Sequence, residues 1–194
     1  MIKKNIKRIS IFLYALFFFS NSLAFDDSDI FLESVFFTAV KKSDYDKVIE
    51  MFEKGVSSNL IDSEKMSPLA YSLANDDEKM FNLLLKNDAD ISRNILNKTS
   101  LLTFYIKSQK SKLLKLLILN GADVNSQDRI GMTPMMHAIE NLNVDAIKLL
   151  SNSKIVEDLQ INISDYSGKT IFDYANDSRD SYVKELIDSL KKTF

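Results

Sequence analysis

The side chains that could do acid–base or metal chemistry are few in this chain. There is one histidine, His137, and no cysteine. The paired carboxylates are Asp26/Asp27 and Asp76/Asp77. A zinc site is usually built from several histidines and thiolates, so here it would need several carboxylates around one imidazole. Asp123, Asn125 and Asp128 have a faint calcium-loop look, but the Asp-x-[Asn/Asp]-x-[Asn/Asp]-Gly spacing that such a loop requires is not kept. No His-Glu-x-x-His, phosphate loop or Gly-x-Ser-x-Gly occurs. The carboxylate pairs read as solvated turns or helix starts. These residues suggest no enzyme, no metal and no cofactor.

The amino terminus carries a different signal. Lys3, Lys4, Lys7 and Arg8 precede an apolar run from Ile9 to Phe19, and Ser20-Asn-Ser-Leu-Ala-Phe25 follows. A basic start, a short apolar run and a small-x-small exit make a secretory signal peptide, with the cut expected after Ala24. The run is well short of the roughly 20 residues that cross a bilayer. An uncleaved anchor is the alternative, and no stable membrane insertion is expected after cleavage. Residues 25–194 then form one domain, expected in the periplasm or secreted. Removing the four basic residues of the leader leaves 21 basic against 27 acidic, a net charge of -6. That balance argues against nucleic acid, whose partners carry basic patches. With no cysteine, no disulfide can stabilise the exported chain, so packing must do so.

The elements that position these residues come as a repeated unit. Its clearest instance runs Asn120-Gly-Ala-Asp-Val-Asn125, then Asp128, then Gly131-Met-Thr-Pro-Met-Met-His-Ala138. Related stretches are Ser67-Pro-Leu69 with Leu84-Leu85, Thr99-Ser-Leu-Leu102, and Gly168-Lys-Thr-Ile-Phe-Asp-Tyr-Ala175. Unit starts near 34, 67, 99, 133 and 170 make five repeats. The third has one extra residue between its helices and the fourth about four extra before Asp158. Ser or Thr at each start can cap a first helix, and Pro68 and Pro134 sit where a missing N–H costs nothing. Ala39, Ser72, Ala138 and Ala175 fall where two helices cross closely; Phe104 or Tyr105 stands there in the third repeat and would splay the pair. Lys112-Leu-Leu-Lys-Leu-Leu-Ile-Leu119 has the spacing of a buried helix face. Gly121 permits a left-handed cap, and Asp88 stands in its place in the second repeat. The Asn-x-x-Asp steps at Asn59/Asp62, Asn125/Asp128 and Asn162/Asp165 can close turns through their side chains.

This wording resembles the ankyrin repeat family, over nearly all of residues 29–190. The resemblance implies an all-α solenoid of about five helix-turn-helix units that binds another protein and catalyses nothing. It places the contact surface on the turn tips and first helices. The expected partner contacts are therefore Arg129, Ile130 and Tyr166 at the tips, and the row Tyr71, Phe104, His137 and Tyr174 on the helices. His137 lies one step past the family's usual histidine, where Met136 stands, and is expected at the surface or half-buried on the inner side. The concrete role expected is an inhibitor or immunity protein against a toxin. Alternatives are an envelope or stress accessory protein, an effector released into a host, packing through stacked ends, and an enzyme.

Overall fold

The computed structural model describes residues 27–152, 154–156 and 158–192. The expected leader and the cut expected after Ala24 lie outside the described residues. The chain divides into two compact units, residues 1–35 and 36–194.

Among the described residues the helices form five pairs. They are α1 (Asp27–Lys41) with α2 (Tyr45–Glu53), α3 (Pro68–Ala74) with α4 (Glu78–Lys86), α5 (Leu101–Lys107) with α6 (Leu114–Leu119), α7 (Pro134–Glu140) with α8 (Val144–Leu150), and α9 (Ile171–Asp177) with α10 (Ser181–Leu190). The described residues contain no strand, only a one-residue bridge between Ile95 and Thr99. From α3 onward each pair packs within itself. First helices then pack on first helices (α3 on α5, α5 on α7, α7 on α9), and second helices on second helices (α6 on α8, α8 on α10). The fold is thus an all-α helix-turn-helix solenoid. Its core is the shared layer between neighbours, because one amphipathic pair cannot bury its own apolar face.

Local chemistry starts each first helix. Ser67 and Ser100 accept the amides of Ala70 and Thr103 at 3.2 Å, and Thr133 accepts that of Met136 at 3.4 Å. At the last repeat the bond runs the other way: the amide and hydroxyl of Thr170 both donate to Asp173. These caps correct the expected register. The third repeat starts at Ser100, not Thr99, so the cap spacing is 33, 33 and 37 residues. The single extra residue expected in the third repeat disappears with that shift. Ser34 stands inside α1, which already begins at Asp27.

The tyrosine of the third repeat explains why its pair looks irregular. Ala39, Ser72, Ala138 and Ala175 are all buried at the helix crossing, and the third-repeat equivalent is Tyr105, which is fully buried. Its hydroxyl donates to Asp76 Oδ1 at 2.5 Å and accepts the Leu113 amide at 2.9 Å. In the other repeats Asp44, Asp77, Asn143 or Asp180 caps the second helix. In the third, the phenol occupies that space and performs the capping role. The first turn of the second helix is given up, leaving α6 with six residues after Leu113, whose own side chain cannot cap it. Burial and the neighbouring Asp76 charge raise the Tyr105 hydroxyl far above its ordinary pKa, so it stays protonated.

Candidate partner-binding face

In three repeats the turn before the first helix is closed by one aspartate. Asp62 accepts the Glu64 and Met66 amides, Asp128 those of Ile130 and Met132, and Asp165 those of Ser167 and Lys169, all with Oδ1 at 2.8–3.1 Å. The second oxygen turns to the first helix nine residues on. Asp62 accepts the Tyr71 hydroxyl at 2.5 Å, Asp165 accepts the Tyr174 hydroxyl at 2.7 Å, and Asp128 meets His137 Nε2 at 2.9 Å. Tyr71, His137 and Tyr174 thus stand at equivalent places on their first helices, and each braces the turn nine residues before it. In the third repeat Ile95 replaces the aspartate and is buried, and half-buried Phe104 replaces the hydroxyl-bearing ring. Two apolar residues thus stand at the places where the others use a hydrogen bond to an aspartate.

The electrostatics follow from these bonds. The Ser167 hydroxyl, the Tyr174 hydroxyl and two amides hold the Asp165 carboxyl down at about 2. Burial pushes Asp128 and Asp62 upward, but their hydrogen bonds outweigh it and both end below the usual aspartate value. Burial, then the Asp62 charge, push the Tyr71 hydroxyl up to about 12. Tyr174 is raised for the same reasons by burial and Asp165.

His137 departs from expectation. It is 2 % exposed, so it is neither a surface nor a half-buried side chain. Its Nδ1 has no hydrogen-bond partner among the described residues, and the nearest carboxylate oxygen, Glu140 Oε2, is 3.7 Å away. Among the described residues no three His, Asp or Glu side chains gather to hold a metal ion.

The tips present what the helices do not. Ile130 is 55 % and Tyr166 74 % exposed, and Arg129 is exposed beside them. The two apolar tips belong to successive repeats and are joined: the Tyr166 amide donates to the Ile130 carbonyl at 3.1 Å. Gly131 makes this approach geometrically available. Its φ is +85°, and a Cβ there would lie 2.6 Å from both the Tyr166 amide nitrogen and Cδ1. The structure adds a residue that sequence reading missed. Leu96, 51 % exposed, occupies the tip position of the third repeat. Without an aspartate to mark the turn, only the 33-residue spacing pointed to it. Tyr174, half-buried, also lines a cleft of about 430 Å³ with Glu140, Leu142, Lys169 and Arg179.

The family model for ankyrin repeats (three copies) matches residues 102–193. That stretch spans the third to fifth helix pairs, including the His137 turn and both apolar tips. Ankyrin repeats mediate contacts between proteins, and the family is typically non-catalytic. Comparison with curated proteins returns no match. No helix among the described residues is long and apolar enough to cross a membrane.

Proposed function

We propose that this chain is a non-catalytic protein-binding module that acts outside the cytosol, in the periplasm or secreted, once its leader is removed. The observation that carries the binding reading is the joined pair of tips. Ile130 and Tyr166 are exposed, yet a backbone hydrogen bond and the Gly131 approach hold their backbones in place before any partner arrives. Aromatic and arginine side chains are frequent binding anchors, and a surface ordered in advance loses less entropy on contact. Leu96 extends the apolar tips by one repeat and Arg129 adds a cation. Tyr71, His137 and Tyr174 support the turns from beneath; Phe104 and the outer edges of the two tyrosines complete the inner side. The concrete role is that of an inhibitor or immunity protein, which must engage an incoming toxin through preformed shape.

The test is capture from a periplasmic extract with the mature chain and with Arg129→Ala, Ile130→Ser and Tyr166→Ala. Each change is at the surface and leaves the fold intact, which circular dichroism checks. A partner retained equally by all three variants would remove the tips from the binding site. Amino-terminal sequencing of the exported protein tests the leader: a start at Phe25 supports it, a start at Met1 does not.

A further inference from the structure

The third repeat has a charge of its own. Residues 91–122 carry six basic side chains and no acidic one, within residues 25–194 whose net charge is -6. At the tips the two signs of charge face opposite ways. The Asp62 and Asp128 side chains are 11 % exposed and Asp165 is buried, all three held by the amides of their own turns. Lys98 of the third tip and Arg129 of the fourth are exposed, and neither is in an ion pair among the described residues. In the second tip Glu64 stands beside Lys65, so the cationic stretch begins with the third.

The cations share an edge with the apolar tips. The Ser126 hydroxyl donates to the Ser100 hydroxyl at 2.9 Å, which ties the start of α5, two residues after Lys98, to the loop that leads into Arg129. The Tyr166 ring then lies against the backbone of the fourth tip, since a Cβ on Gly131 would meet Cδ1 of that ring. Leu96, Lys98, Arg129, Ile130 and Tyr166 therefore follow one another over three successive tips, with cation and apolar side chain side by side.

The backbone of the third tip adds a second observation. Asn97 and Lys98 are both left-handed, with φ of 61° and 58°. Lys98 stands where the fourth and fifth repeats have Gly131 and Gly168. Side chains avoid this region and glycine does not. The third tip thus carries a cation at a place where glycine would relieve the backbone.

We propose that the partner of the tip surface is a protein presenting an acidic segment, with carboxylates that pair with Lys98 and Arg129 and an apolar side chain that packs against Leu96, Ile130 and the Tyr166 ring. The proposal rests on the tips being the binding face. Charge-assisted hydrogen bonds to carboxylates are strong, and the Arg129 guanidinium can hold one with two N–H groups. The net negative charge of the molecule repels such a segment from other faces, so the same electrostatics select the site. Aliphatic Leu96 and Ile130 give nucleobases no stacking face, which favours a protein over a single-stranded nucleic acid.

The experiment is selection of short peptides from a random displayed library on the mature chain, followed by fluorescence anisotropy of the enriched peptides. These should combine an excess of Asp and Glu with an aliphatic or aromatic residue, and their binding should weaken as salt is raised. Lys98→Glu and Arg129→Glu should each weaken binding about tenfold or more. Lys115→Glu makes the same charge change on the exposed side of α6 and should weaken it less than about twofold. Lys98→Gly should weaken binding several-fold without lowering the urea midpoint, an outcome that a purely structural lysine would not give. The proposal is overturned by enriched peptides without acidic excess, by binding that survives both Lys98→Glu and Arg129→Glu, or by a single-stranded oligonucleotide that binds the tips more tightly than the acidic peptides. If binding survives those two changes but is lost in Ile130→Ser and Tyr166→Ala, the tip surface stands and only the acidic partner falls. If no enriched peptide needs Ile130 and Tyr166, the tip surface itself falls.

Discussion

Two glycines with nearly the same backbone separate conformational cost from steric cost. Gly131 and Gly168 occupy the same place in successive turns, with φ of 85° and 90°. A Cβ on Gly168 meets nothing within 4 Å, whereas one on Gly131 lies 2.6 Å from the Tyr166 amide nitrogen. For an L-residue the left-handed region costs about 1–2 kcal/mol, so Gly168→Ala should lose about that much. Gly131→Ala carries the same cost and must also push away a backbone atom, which cannot swing aside as a side-chain tip can. The hydrogen bond from Tyr166 to Ile130 is then lost, for about 1 kcal/mol more, and residual strain brings the total to about 2–4 kcal/mol. Urea unfolding should show both midpoints lowered at unchanged slope, with Gly131→Ala lower. In thermal unfolding the difference should be several degrees for a chain of this size. Partner capture should fall for Gly131→Ala and persist for Gly168→Ala. Equal destabilisation by the two substitutions would refute the claim that the tips are held by close backbone approach.

Tyr105→Phe should cost about 1–3 kcal/mol, since it leaves the half-buried Asp76 carboxylate and the buried Leu113 amide without their partner; urea unfolding checks it, and a loss under about 0.5 kcal/mol would remove the phenol from its capping role. Asn125→Ala should cost about 1–2 kcal/mol through two lost bonds to the next repeat, and hydrogen exchange should show the loosening near Asp158 first. Asp165, ordinarily near 3.8, is held at about 2 in the fold. A depressed carboxylate stabilises the fold above its unfolded pKa, and that contribution is lost as pH falls from about 4 toward 2. Asp165→Asn should therefore flatten the stability profile in that window, and an unchanged slope would contradict the assignment. Tyr71 has the opposite sign: its hydroxyl is pushed up to about 12, so its contribution is complete below about pH 10 and is lost as pH rises toward 12. Tyr71→Phe should remove that alkaline dependence.

Much of the repeat was legible because helix caps and helix crossings are decided within a few residues. Ser67 before Pro68, Thr133 before Pro134 and the small residues at 39, 72, 138 and 175 each meet a local steric or hydrogen-bonding demand, and the structure uses them so. Asp88 takes the left-handed conformation expected where it replaces glycine, with φ of 62°. The third repeat was read one residue early because Thr99 and Ser100 are both capping types, and only the bond from the Thr103 amide to Ser100 distinguishes them.

By itself, then, the sequence determined the period, the helix type, the buried stripe of each second helix and the lack of cysteine chemistry. These depend on local spacing and composition. Tertiary structure decided which polar side chains are spent. His137 is drawn under its turn by an aspartate nine residues away, a distance that only the fold of the turn converts into 2.9 Å. Tyr105 becomes a cap because the second helix of its own repeat is laid across it. Ile130 and Tyr166 become neighbours because stacking brings successive tips within one backbone hydrogen bond. Contacts between repeats depend on the packing of surfaces that a linear pattern does not specify, so the candidate site could be named in the sequence but assembled only in the stack.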